Sequence, residues 1–311
     1  MIIIFHKILL FLALGMILSS VSETMFYQVD ITFEYYMFFI IYGLYGYLMI
    51  LLNYYYKISS FAWLFISASI FWFLIEWAFV GILYESLPFS LVWTSLAWHT
   101  LITVLLFWYY FRKTMLWVSL KNKILYNSFL WVLLWLWGTY SWSGREDELS
   151  GEVTFDWVVP EEYISQIVIW YVVFVFGHML YERTVYTMKN INKKELYFIW
   201  WVVFLSFVIW NGIIFFLFSL VLLPLIYLCL HYLKKDPTSS HIITHEIDIK
   251  NIPCIQYLIS LLIPLMAGGV YYLFYLYKIE FEMNVLYFVV GWIISVYLFF
   301  KSLWQLWKNV A

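Results

Sequence analysis

Two residues in this chain carry ionisable groups where their neighbours offer nothing to pair with. Glu76 stands in the run Ser69-Ile70-Phe71-Trp72-Phe73-Leu74-Ile75-Glu76-Trp77, and His99 in Ser95-Leu96-Ala97-Trp98-His99-Thr100-Leu101. Acids and imidazoles inside apolar runs are costly, so each marks a candidate site. Counted back from Tyr84, Glu76 lies about 12 Å from the end of its run; counted from Pro88, His99 lies roughly 15 Å inside the next. A short connection over 85–89 makes the two runs an antiparallel hairpin and brings both residues to one depth. Ser69 shares a helix face with Glu76, and Ser95 and Thr103 share one with His99. Such a constellation relays a proton, holds a cation or binds a polar ligand. Its plainer alternative is an interhelical hydrogen bond that fixes register.

His178 forms a second group with Tyr171 and Glu182 on one face of its segment, ending at Glu182-Arg183. His6 beside Lys7 and His231 beside Lys234 read as side chains snorkelling to an interface. Pro224 and Pro264 each interrupt an apolar run, and Gly268-Gly269 follows the second. A broken helix either exposes carbonyls to a cation or merely kinks.

The elements that position these residues follow from composition. Of 311 residues, 65% are apolar, 24% aromatic and 12% charged. A soluble domain carries about a quarter charged residues, so the solvent for this surface is lipid. The predicted fold is an all-α, polytopic transmembrane bundle forming one membrane domain. A net charge of −2 without a basic stripe excludes nucleic acid as a partner. Cys229 and Cys254 are too few for a disulfide framework or a zinc site, and no metal centre is expected. With 12 glycines, close small-residue packing is not expected to be general.

Spanning helices need about 20 apolar residues. The runs 2–20, 35–56, 61–84, 90–111, 124–142, 163–183, 255–277 and 285–307 qualify. The run 196–233 is too long for one pass, and Asn211-Gly212 is a turn signal; dividing it into 195–211 and 213–233 gives ten spans. Loop charges agree with the division. The loop 21–34 holds Glu23, Asp30 and Glu34, whereas 112–123 holds Arg112, Lys113, Lys121 and Lys123. The loop 143–162 is acidic, 184–195 is basic, and 234–253 carries Lys234, Lys235 and Lys250 with His241 and His245. The positive-inside rule then puts both termini on the cytoplasmic (or matrix) side of a cytoplasmic or organelle inner membrane. Residues 114–120 read as a short interfacial helix. The first run, ending in Ser20-Val21-Ser22, also has the form of a signal peptide.

The end of the fifth run reads Trp135-Leu136-Trp137-Gly138-Thr139-Tyr140-Ser141-Trp142-Ser143-Gly144-Arg145-Glu146. It resembles the tryptophan-rich signature of the haem-handling proteins of cytochrome c maturation. That resemblance implies haem on an outer aromatic platform containing Trp137 and Trp142, with His99 and His178 on flanking segments. Ser143 stands where that family has Asp, and the spacing is one residue short. The alternative is an interfacial aromatic belt. Glu76 followed by His99 is similar to the pattern of intramembrane glutamate proteases, but the paired Glu and the Arg are missing. No phosphate loop, prenyl-diphosphate motif or nucleophile with its base is present, so no enzymatic activity is expected.

The sequence therefore points first to a small-molecule or ion transporter with its site at Glu76 and His99. In span count and termini it resembles the drug/metabolite transporter superfamily in gross architecture. A membrane-embedded subunit of a larger complex, such as a respiratory assembly, is the alternative, forming homo- or hetero-oligomers through aromatic helix faces. A haem- or lipid-handling protein is the third.

Overall fold

A computed structural model describes residues 2–27, 33–78, 90–117, 119–146, 153–155, 157–191, 193–218, 222–233, 242–243, 251–279 and 284–310. Twelve helices run in the order α1 Ile2–Ser19, α2 Phe33–Tyr55, α3 Phe61–Ala78, α4 Leu91–Tyr110, α5 Phe111–Trp117, α6 Leu120–Ser143, α7 Pro160–Thr184, α8 Lys193–Phe218, α9 Leu222–Tyr232, α10 Cys254–Ser260, α11 Leu262–Tyr277 and α12 Asn284–Val310. A wider π turn, Ser20–Thr24, prolongs α1, and a 3₁₀ turn, Val185–Asn190, prolongs α7. The predicted all-α class needs one amendment. In the acidic segment after α6, β1 Gly144–Glu146 pairs antiparallel with β2 Val153–Phe155, Arg145 opposite Thr154.

Apolar runs become helices because hydrocarbon offers no partner for a free N–H or C=O. Among the described residues, six helices are long and apolar enough to cross a membrane: Ile2–Thr24, Tyr36–Tyr55, Leu91–Leu116, Pro160–Lys189, Cys254–Tyr277 and Val289–Lys308. They fit a multi-pass membrane protein. Phe61–Glu76 is equally apolar but shorter, and the continuation expected to Tyr84, with the connection 85–89 and Pro88, lies outside the described residues. So do His241 and His245.

Two expectations are corrected. Asn211-Gly212 does not divide the long run: α8 continues through it to Phe218, 26 residues in all. A glycine inside a helix costs about 1 kcal/mol, whereas each backbone group unpaired in lipid costs several. Pro224 lies within α9, Leu222–Tyr232, and the residues just before Leu222 lie outside the described ones. Residues 114–120 are not a separate interfacial helix. α5 prolongs α4 directly, and Arg112, read as a loop base, is fully buried. The break near Pro264 is present, between α10 and α11. Proline cannot donate to the carbonyl of Ser260 four residues back, and there the Leu261 N–H turns to Leu258 O at 3.2 Å.

The core is assembled on α1, which packs between α2 and α7. Glycines make this possible. A side chain on Gly15 would meet the Phe39 carbonyl at 2.7 Å, one on Gly43 the Phe11 carbonyl at 2.9 Å, and one on Gly177 of α7 would meet Met16 at 2.8 Å. Close glycine contacts also occur away from α1, where Gly268 faces Ile164 and Gly291 faces Trp93. α4 lies against α3 and α12, which also touch one another, and α11 lies against α6 and α7. The packing thus brings the end of α1 against α4, which itself lies on α3.

α4 differs from its neighbours in winding: residues Leu91–Tyr110 follow an i→i+5 ladder. Thr100 Oγ1 accordingly donates to Ser95 O at 2.8 Å and Thr103 Oγ1 to Trp98 O at 3.4 Å, each five residues back. Such winding is mostly found as single turns at functional sites.

The packing generates a direct expectation. Gly15→Ala forces apart the closest backbone contact in the bundle and destabilises it by about 1–3 kcal/mol. Gly269→Ala, with open space around the new carbon, leaves stability unchanged or raised. Thermal unfolding midpoints in one detergent compare the two.

Candidate functional site

The structure brings Glu76 and His99 together. His99 Nε2 lies 3.0 Å from Glu76 Oε1, and the two residues are 5% and 1% exposed. Trp72, one helical turn before Glu76, stacks flat on the imidazole at 3.8 Å and 10°. This stack fixes the ring plane, so Nε2 faces the carboxylate and Nδ1 faces away. Neither Nδ1 nor Glu76 Oε2 has a hydrogen-bond partner among the described residues. Each is an orphan in a place where orphans are costly.

The remaining predicted members divide. Ser69 donates to Phe65 O at 2.8 Å within its own helix and takes no part. Ser95 is buried near His99 on α4, its hydroxyl without a partner. Thr103 accepts from the Ser22 hydroxyl at 3.2 Å, which ties the site to α1.

That tie exposes the residue sequence reading missed. Glu23 was placed with the acids of an outer loop, yet it sits on the π turn that ends α1, within electrostatic reach of both His99 and Glu76. The Tyr42 hydroxyl of α2 donates to Glu23 Oε1, and Tyr42 also lies 5.5 Å from the Trp72 ring. Trp98 Nε1 donates to Ser22 O at 3.1 Å, and the Trp98 ring packs on Phe26 at 4.8 Å. A signal was present: Ser19, Ser20, Ser22, Glu23 and Thr24 are too densely polar for ordinary loop sequence beside a span, and Ser19, Ser20, Ser22 and Thr24 are all buried.

Charge accounting sets what this cluster can do. With both carboxylates ionised and the imidazole protonated, the trio carries −1. Among the described residues no lysine or arginine pairs with Glu23 or Glu76. Burying net charge costs several kcal/mol per ion, so the cluster favours an added proton or cation.

Near His178, Tyr171 and Glu182, the contacts are organised around Arg112. Arg112 Nη1 lies 3.3 Å from Glu182 Oε1 and 3.5 Å from the carbonyl of His178. The same carboxylate oxygen accepts from the Tyr257 hydroxyl at 2.6 Å and the Ile252 N–H at 3.2 Å. Tyr181 places its ring 5.0 Å beneath the guanidinium. His178 is fully buried between Phe111 and Phe174, at 5.0 and 4.5 Å, and Tyr171 is buried beside Phe174. A similar knot joins α1, α2 and α8: Lys7 Nζ contacts Glu195 at 2.5 Å, and the Tyr47 hydroxyl donates to the same carboxylate at 2.6 Å.

Of the tryptophan-rich run, Trp137 packs on Trp98 at 4.6 Å and on Trp93 at 5.8 Å, and Trp142 meets Tyr163 edge-on at 5.3 Å. These rings pack against one another. Trp72 stacks on His99, and Phe111 and Phe174 pack on His178. No group of three His, Cys, Asp or Glu with metal-site geometry occurs among the described residues.

Removing one partner of the buried Arg112–Glu182 pair should be severe. Glu182→Ala lowers stability by about 3–5 kcal/mol, and the double change Arg112→Met with Glu182→Met recovers most of it. Thermal unfolding in detergent reads both.

No protein-family model matches this chain, and neither a curated protein nor a solved structure is significantly similar to it.

Proposed function

We propose that this chain is a multi-pass membrane transporter of an ion or small molecule, with Glu76 and His99 as its coupling or substrate site. The observation that carries the reading is the pair of orphan atoms, Glu76 Oε2 and His99 Nδ1, inside a cluster of net negative charge. A pair that served only to fix helix register would have no use for them. Intramembrane carboxylate–imidazole pairs with unused valence are the means by which membrane proteins bind and release cations. The bonds among Ser22, Thr103, Tyr42 and Glu23 extend the site across four helices, so occupancy of one helix's side chain bears on the others.

The test is uptake into vesicles containing the purified full chain, driven by a pH or cation gradient and screened over a panel of labelled metabolites and cations. Glu76→Gln and His99→Ala abolish gradient-driven uptake while both variants elute from a sizing column like the wild type. Wild-type rates in both variants would remove this site from consideration.

The ten-span topology, with both termini on the cytoplasmic or matrix side, belongs to the same reading, with α3, α6, α8 and α9 crossing beside the six apolar helices of spanning length. A protease-cleavable tag at each terminus checks it. Both tags are cut in inside-out vesicles and protected in right-side-out ones; opposite behaviour of the two tags requires an odd number of spans.

One observation favours the complex-subunit alternative. A groove of about 810 Å³ runs between α9 and α12, lined by Leu228, Tyr232, Tyr297, Phe300, Lys301 and Trp304. Its aromatic walls suit a partner helix or lipid tails. A lone monomer in mild detergent would count against a partner there.

A further inference from the structure

We propose that Glu23, held by Tyr42, is the proton port of the Glu76–His99 site: the ion this site takes is a proton, and it enters and leaves through Glu23. The inference rests on the reading of Glu76 and His99 as an ion site and names its ion.

Three independent observations lead there. The first is access. Glu76 and His99 are sealed at 1% and 5% exposure, whereas Glu23 is only partly buried and is followed within four residues by the exposed Tyr27. Glu23 is thus the most exposed of the three ionisable members of the cluster. The second is connection. Glu23 accepts from Tyr42, the Ser22 hydroxyl stands beside Tyr42, and Ser22 donates to Thr103, one turn along α4 from His99. Hydroxyls that both give and take a hydrogen thus run from Glu23 to Thr103 on the helix that bears His99. The third is the ring packing. Trp72 lies flat on His99, and Trp98 is wedged between Phe26 and Trp137. A proton needs no room among these rings, while a metal ion would have to displace them to collect its oxygen ligands.

The orphan atoms give the step its direction. His99 presents Nε2 to Glu76 and leaves Nδ1 unpartnered. A proton leaves the Glu23 carboxylic acid, which becomes a carboxylate, and is taken up at Nδ1. The Nε2 proton passes to Glu76 Oε1, so the imidazole ends neutral in its other tautomer and Glu76 ends as the acid. One proton has moved from Glu23 to Glu76 with no change in total charge. The groups facing Glu23 are Tyr42 from α2, Glu76 from α3 and His99 from α4. Among the described residues, α6 and α7 behind it contribute neutral contacts to the adjoining backbone, Ser141 to Phe26 O and Gln166 to Thr24 O.

The test is infrared difference spectroscopy of the full chain in vesicles, following the carboxylic-acid carbonyl band through an acid titration and after transfer to heavy water. The band component lost in Glu76→Gln is assigned to Glu76. In the wild type this component takes up deuterium promptly. In Glu23→Gln its deuterium uptake slows by about a hundredfold, the lower end of what a positioned acid–base group contributes. Tyr42→Phe, which keeps the ring and loses only the donor, slows it by a smaller factor and stands in if the glutamine variant fails to assemble. Unchanged amide exchange in each variant shows that the bundle has stayed closed. Wild-type deuterium uptake at Glu76 in both variants overturns the port and leaves the Glu76–His99 site standing. If Glu76→Gln removes no band component at any pH, Glu76 does not take a proton, and the site reading falls with the port.

Discussion

Charge inside hydrocarbon has to be answered within the bundle, because there is no water to answer it. Among the described residues, Glu195, Glu182 and Glu76 meet that demand in two ways. Glu195 takes Lys7, and Glu182 takes Arg112. In both pairs the partner is a lysine or an arginine, and both acids receive a tyrosine hydroxyl from a third helix. They are finished structures, in which each oxygen used has its donor. Glu76 is different. Its partner is an imidazole, a base whose charge is conditional, and one oxygen of the acid and one nitrogen of the ring are left over. The contrast between closed and open pairing, within one molecule, sets the Glu76–His99 pair apart from the other two.

The same demand explains why α1 is where it is. Polar residues at its end have to be buried against other polar residues, and the glycines at 15, 43 and 177 let α2 and α7 approach closely enough to enclose them. Lys7 at one end of α1 and Ser22 and Glu23 at the other then tie the helix to α8, to α4 and to α2. The helix acts as a post on which both the closed pair and the open one are hung. Interior packing tolerates little change in volume, so a shift along α1 is felt at both ends.

Much of this was legible in the sequence, for identifiable reasons. Apolar runs of spanning length announce helices because backbone satisfaction in lipid leaves little choice. Glu76 and His99 announced themselves by type, and the antiparallel hairpin placed them at one depth before any contact was known. Glu23 was not legible as a site member, since an acid at the end of an apolar run reads as a loop charge until a π turn folds it inward. Arg112 was misread for the same reason: a base beside Lys113 looks like an interface marker, and only the arrival of Glu182 from α7 makes its burial possible. Asn211-Gly212 shows the opposite error. Turn propensity is measured against water, and in a long apolar helix the backbone has no water to turn toward.

The tyrosines carry a consequence for how such a bundle comes to exist. Tyr42, Tyr47 and Tyr257 each bring one hydroxyl to a carboxylate on another helix, at the tip of a ring that is otherwise apolar. A segment bearing tyrosine in place of asparagine or serine enters the bilayer as a greasy helix, with its one polar atom free to lean toward the headgroups. Association of the helices comes afterwards, and only then does that atom acquire its acid. The chain's 28 tyrosines thus let insertion and assembly proceed as separate events, the first governed by rings and the second by hydroxyls.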